Sequence, residues 1–126
     1  MTAQRTITAD DYRSRASEHI LQVQVLEVIA YKGKRTFAFA IPNAGNRGLA
    51  TAARMKAEGL TAGVADLCVM LQGGRVGWLE IKTAKGKQSN SQKGFAAVCA
   101  ELGHPYALVR SLNEAISVLR EWGALK

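Results

Sequence analysis

Cysteine, histidine and acidic residues are scarce in this chain. Only two cysteines, Cys68 and Cys99, and two histidines occur among 126 residues. No CxxC pair is present, so a zinc site has no support. Both cysteines lie in apolar runs, the usual setting of buried free thiols. His19 and His104 stand far apart with no cluster around them, and both are read as non-catalytic. Asp and Glu number 10 against 17 Lys and Arg, a formal net charge of +7. That imbalance favours a polyanionic partner, through phosphate neutralisation and counterion release, without identifying one.

Long apolar runs are missing too. No stretch approaches the roughly 18 apolar residues of a membrane-spanning helix. Met1 to Arg5 lacks the apolar core of a secretory signal. A soluble, cytoplasmic protein is therefore expected. Internal repeats and low-complexity linkers are absent as well. With 126 residues, 48% of them hydrophobic, and a mean hydropathy of −0.05, the chain suits one domain over residues 1–126. Its polar first dozen residues are expected to be loosely held.

What is present reads as alternating helices and strands. Leu21, Val25, Val28 and Ile29 recur at helical spacing and predict a helix over about 14–31, ended by Gly33. Phe37 to Ile41 predicts a short strand, stopped by Pro42-Asn43. Leu49 to Glu58 favours helix, with Gly59 just beyond its end. Val64–Leu71 and Val76–Thr83 flank Gly73-Gly74 and predict a β-hairpin. A Lys/Gly/Ser-rich loop leads to a helix capped by Ser91 and closed by Gly103. Tyr106 to Arg110 predicts the last strand, and Ser111 with Glu114 a capping box for a final helix ending near Trp122-Gly123. This order implies an α/β fold, a mixed sheet flanked by helices.

Charges inside the hairpin are the chemical signal. Asp66 fronts one apolar strand, while Glu80 and Lys82 interrupt the other. Buried charges need partners, and strand alternation puts Glu80 and Lys82 on one face. Asp66 joins that face only on a condition. A two-residue Gly73-Gly74 turn would set it opposite Ile81, whereas a three-residue loop, Gln72 to Gly74, sets it opposite Glu80. A bulge would serve equally. Two converging carboxylates with no histidine or thiolate suit Mg²⁺ or Mn²⁺, and the Ile81 carbonyl could add a ligand. Such an ion polarises phosphate oxygens and acidifies bound water, with Lys82 placed to assist. A structural Asp/Glu–Lys ion pair explains the same three residues, and the residues alone leave both readings open.

The surroundings lean toward phosphate. Lys85, Lys87, Ser91 and Lys93 follow directly after Lys82, a chemistry suited to phosphate contacts when it adjoins a carboxylate pair. This is not a P-loop, because the upstream glycine is missing and Gln88 follows Gly86-Lys87. Arg47, Arg54 and Lys56 either line a nucleic-acid groove or serve solubility. Glu18 borders the apolar stripe of the first helix, where a carboxylate is either a third site residue or a boundary residue.

Taken in order, these segments resemble the VRR-NUC (virus-type replication-repair nuclease) domain, a branch of the PD-(D/E)XK nuclease superfamily. The matching stretches are Glu18, then Ile41-Pro42-Asn43 with Arg47, Lys56-Ala57-Glu58-Gly59, Gly63-Val64-Ala65-Asp66-Leu67 and Leu79-Glu80-Ile81-Lys82. Lys85-Gly86-Lys87, Ser91-Gln92 and Val109-Arg110-Ser111 continue it, so the likeness runs from about residue 17 to 123. The resemblance implies a restriction-endonuclease-like core, a mixed four-stranded sheet with helices on both faces. It implies roles for Glu18 and Gln92 beside Asp66, Glu80 and Lys82, with Glu18 a further candidate metal ligand, and Mg²⁺- or Mn²⁺-dependent cleavage of DNA. One departure is Ala65, where the family usually has proline before the metal-binding aspartate. Proline carries no ligand there, so metal chemistry is expected to survive its loss.

Stand-alone members of this length are similar to phage proteins, and related minimal nucleases act as homodimers on branched DNA. A homodimeric junction nuclease of phage DNA replication or repair is the leading expectation. A nuclease for flaps, single strands or duplex is the alternative within the class. Outside it stand a non-catalytic DNA-binding module and a structural component of a replication complex.

Overall fold

The computed structural model describes residues 9–42 and 48–126. The first helix, α1 (Ala9–Lys32), starts earlier than its apolar spacing predicts. Its described side chains before Glu18 are exposed, so those turns offer no stripe to read. Residues 9–12 of the segment expected to be loose are thus helical, and residues 1–8 lie outside the described part. Leu21, Val25 and Ile29, four apart, form the buried stripe. At the C-terminal end, the Gly33 amide bonds the Ile29 carbonyl at 2.8 Å. A Cβ on Gly33 would collide with that carbonyl oxygen, so glycine is required there.

The remaining elements are β1 (Phe37–Ala40), α2 (Leu49–Ala57), β2 (Leu67–Leu71), β3 (Arg75–Ile81), α3 (Asn90–Leu102), β4 (Tyr106–Val109) and α4 (Leu112–Glu121). They build the mixed four-stranded sheet expected of an α/β fold, in the order β1-β2-β3-β4. The first two pairings are antiparallel; β3 and β4 are parallel, joined by a crossover through α3. No helix among the described residues is long and apolar enough to cross a membrane.

Period-two alternation gives the sheet two unlike faces. Leu67, Val69, Leu71, Leu79, Ile81 and Val109 point to one side and form the core with the α1 stripe and with Ala115 and Leu119 of α4. On the other side lies α3. Its Phe95 meets Trp78 edge-on at 5.3 Å between ring centroids and Tyr106 at 6.1 Å. Cys68 and Cys99 are free thiols buried in this second layer.

The capping of α3 and α4 differs from expectation. The N-cap of α3 is Ser89, not Ser91. Ser89 accepts a hydrogen bond from the Gln92 amide, and the Gln92 side chain accepts one from the Ser89 amide at 2.8 Å. The S-x-x-Q spacing starts at Ser89, and a Ser91 cap would have had no such closing residue. In α4, Ser111 caps the Glu114 amide as expected, but the Glu114 carboxylate reaches back one residue further, to the Arg110 amide.

Candidate active site

The β2–β3 hairpin decides whether the two carboxylates meet. Leu71 pairs with Arg75 and Leu67 with Leu79. The loop is therefore the three residues Gln72, Gly73 and Gly74, and the register one step past Leu67–Leu79 sets Asp66 opposite Glu80. Gly73 and Gly74 have φ of 80° and 72°, left-handed values that glycine adopts without strain. The condition set by the strand arithmetic is met by the first of its alternatives.

Asp66 lies just before β2 proper, since the strand begins at Leu67 rather than at the predicted Val64. Its carbonyl accepts the Ile41 amide at 2.8 Å, extending the β1 pairing. Its carboxylate accepts the Ile81 amide at 2.7 Å, taking the place of the ladder bond that β2 no longer supplies. Because the Lys82 amide bonds the Val109 carbonyl, Ile81 turns its own N–H and C=O to the opposite edge, toward Asp66. Ala65, in the position where the resemblance leads one to expect proline, is fully buried.

Glu80 is 1% exposed, the one buried charged residue among those described. Its Oε1 has no hydrogen-bond partner within the described structure. Burial pushes its carboxyl up to about 9, the facing Asp66 pushes the same way, and the Lys82 ammonium pulls it down. Glu80 is therefore held in its neutral form beside Asp66 near neutral pH. Burial and the Glu80 charge push the Tyr106 hydroxyl up to about 12. Tyr106 thus belongs to the same electrostatic neighbourhood, and it accepts a hydrogen bond from Gln88 at 2.9 Å.

A hard divalent cation fits this donor set. Mg²⁺ is typically held by one or two carboxylates and keeps other positions for water and phosphate. Asp66 and Glu80 supply the carboxylates, the orphaned Oε1 lacks a partner that a cation would provide, and the Ile81 carbonyl faces the same edge. Glu18 does not complete a third corner, for no three His, Cys, Asp or Glu side chains among the described residues gather as a metal group. It sits half-buried one turn before Leu21, on the helix that covers the other face of the sheet.

Gln92 has a structural task, since its side-chain oxygen closes the α3 capping box. The backbone of Ser91 and Gln92 packs directly on Gly63, where φ is 87° and any Cβ would overlap it. That contact brings the α3 N-terminus against the turn leading into Asp66. Arg110 carries a role that sequence reasoning missed. Its Nη1 donates to the carbonyls of Thr83 at 2.7 Å and Gly86 at 2.6 Å, clamping the loop after Lys82. The available signal was alternation along Tyr106-Ala107-Leu108-Val109-Arg110, which places Tyr106 and Arg110 on the Glu80 side. Lys85, Lys87, Ser91 and Lys93 are exposed around this loop and the first turn of α3. Arg54 pairs loosely with Glu58, at 3.7 Å, on α2, a helix with no buried residue, and Lys56 is exposed beside it. Arg47 lies outside the described residues.

Comparison with known proteins yields structural likeness without close sequence relatives. No protein-family profile and no curated protein matches the sequence. A solved structure described as a VRR_NUC domain superposes with a TM-score of 0.60 at 16% identity, over 84% of this chain and 97% of that one. Another, described as a VRR_NUC domain protein, gives 0.64 at 20% identity, over 83% and 86%. The chain has the fold of these domains.

Proposed function

We propose that this chain, built on the VRR-NUC domain fold, is a metal-dependent deoxyribonuclease acting through Asp66, Glu80 and Lys82. The observation that carries the reading is a buried carboxylate, Glu80, set opposite Asp66 with one oxygen unpartnered and a lysine next on the same face. A purely structural ion pair would satisfy its atoms, because an orphaned buried oxygen is destabilising unless a function requires it. The likeness to two structures described as VRR_NUC domains supports a nuclease in particular.

Asp66, Glu80 and the Ile81 carbonyl would hold Mg²⁺ or Mn²⁺. When bound, such an ion supplies a polarised phosphate oxygen and a more acidic water. The chain's own residues do the rest. The Ile81 amide fixes the Asp66 carboxylate, and the Lys82 ammonium stabilises charge growing on the phosphate. Gln92 holds the first turn of α3 against Gly63, and Glu18 acts from α1 outside the metal-holding group. Lys85, Lys87, Ser91 and Lys93 grip the DNA backbone close by, Arg54 and Lys56 extend the contact from α2, and Arg47 is a DNA-binding residue in this reading on its sequence position alone.

The substrate in this reading is branched DNA of the Holliday-junction type, met in phage replication or repair in the cytoplasm. A homodimer would offer one site per strand. Its support is β1, an edge strand without charge whose Phe37 and Phe39 are exposed, with Met70 beside them. The test is cleavage of duplex, flap and four-way-junction DNA with Mg²⁺, Mn²⁺ or EDTA. Wild type should cut the junction with either metal and stop in EDTA, while Asp66→Ala and Lys82→Ala lose at least about 10³ in rate. Binding of DNA without cleavage under every metal condition would reduce the protein to a binding module.

A further inference from the structure

Among the described residues, the strands leave three large apolar side chains exposed: Phe37 at 65%, Phe39 at 40% and Met70 at 49%. They are neighbours, because Phe37 pairs with Met70 and Phe39 with Cys68 in the antiparallel β1–β2 register. Directly opposed residues point to one face, so all three stand on the side of the sheet that carries Asp66 and Glu80. On that side Phe95 of α3 covers Trp78 and Tyr106, whereas no helix among the described residues lies against the β1–β2 half. Ala38, between the two rings in sequence, turns to the core. The alternation of β1 thus runs against burial, with the small side chain inward and both rings outward.

The rings form a pair, with centroids 6.1 Å apart and planes tilted by 43°. Strand geometry sets their distance from the carboxylates. The Ile41 amide bonds the Asp66 carbonyl, so Phe39 lies two residues, about 7 Å, along the sheet from Asp66, and Phe37 about 7 Å further. Exposed Lys34 and Arg35 precede the strand in a turn tied to the C-terminal segment: the Lys34 amide donates to the Ala124 carbonyl at 2.7 Å, and the Thr36 hydroxyl to the same carbonyl at 3.1 Å. Exposed aromatic rings on an open sheet, bordered by cations, suit unpaired nucleic acid, because every base offers a face to stack and the cations meet the backbone. A second copy pairing along the β1 edge would use backbone groups in the plane of the sheet and leave the rings open on its face.

We propose that Phe37 and Phe39 form a stacking platform for unpaired bases of the DNA strand whose phosphodiester lies at Asp66 and Glu80. The stacking contact rests on the rings; that the strand is DNA and continues into the site rests on the nuclease reading. The platform selects DNA with unpaired bases beside the cleaved linkage, as at a branch point or in a single-stranded segment. Bases stacked inside a duplex have no free face to offer the rings.

Binding is measured by fluorescence anisotropy in EDTA, with labelled oligothymidine as the single strand and a blunt duplex of equal length beside it. Cleavage with Mg²⁺ is measured separately; melting curves verify folding, and light scattering follows the oligomeric state. Phe37→Leu and Phe39→Leu keep the apolar surface and lose the ring. Each should weaken oligothymidine binding about 5- to 30-fold and leave duplex affinity within about 2-fold of wild type. Phe39→Trp keeps a stacking face and should bind oligothymidine at least as tightly as wild type. Folded leucine variants with wild-type oligothymidine affinity would overturn the proposal, even if wild type cuts DNA. Equal losses on single strand and duplex would overturn it too, as would a changed oligomeric state with unchanged affinity, which gives the rings to a second copy. Ring-dependent binding of the single strand by a protein that never cuts would leave the platform standing and remove the nuclease.

Discussion

On one face of the sheet Leu67, Val69, Leu79, Ile81 and Val109 meet α1 and α4 and are buried, whereas on the other the same strands present Asp66, Glu80, Lys82 and Tyr106. Neighbouring residues on β3 thus belong to different environments: Leu79 and Ile81 to the aliphatic core, Glu80 to the layer of aromatic rings and thiols under α3. The first face makes the protein stable. The second holds an ionisable group where burial disfavours its charge. A fold can tolerate that expense at one site when the opposite face is consistently packed.

The comparison breaks most visibly if one face is altered without the other. Leu119→Ala, in the apolar layer, should destabilise by about 3 kcal/mol and lower Tm by roughly 10 °C. Cleavage per folded molecule should stay near wild type, as read by thermal melting beside an activity assay at low temperature.

Glu80→Gln should do the reverse, raising Tm by roughly 3–8 °C in EDTA at pH 8. The sign follows from a folded-state value of about 9 against an ordinary 4.5. The native protein then binds a proton the unfolded chain has released, so the stability of wild type is complete below about 4.5 and declines as pH rises toward 9. Glutamine does not titrate, and the gain should shrink to nearly nothing at pH 4.5. Equal Tm differences at both pH values would contradict the burial argument.

A smaller effect sharpens the contrast with α2, which has no buried residue. Arg54→Gln removes an exposed pair and should change stability by less than about 0.5 kcal/mol, as measured by chemical denaturation.

Much of this was legible in the residues, for identifiable reasons. The hairpin announced itself through two apolar runs around Gly73-Gly74, and charges within those runs marked the site. Alternation then reduced the meeting of Asp66 and Glu80 to a question of loop length, which only the register could answer. The first turns of α1 were invisible, because helix without a buried stripe has no period to detect. The cap at Ser89 was missed although its S-x-x-Q spacing was present, since Ser91 lay nearer the apolar residues of the helix. Arg110 and Tyr106 reach the site through the parallel pairing of β3 with β4, a contact between residues about 28 apart in sequence that no local pattern announces. Glu18 was the reverse case, carried by resemblance and placed on the helix that covers the other face.

Single-turnover cleavage of junction DNA by Glu80→Gln at saturating Mg²⁺ separates a metal-holding Glu80 from a structural one. A metal-holding Glu80 makes the variant melt higher than wild type and cut at least about 10³-fold more slowly. A Glu80→Gln protein cutting at the wild-type rate would contradict it, and would return the buried carboxylate pair to a structural role.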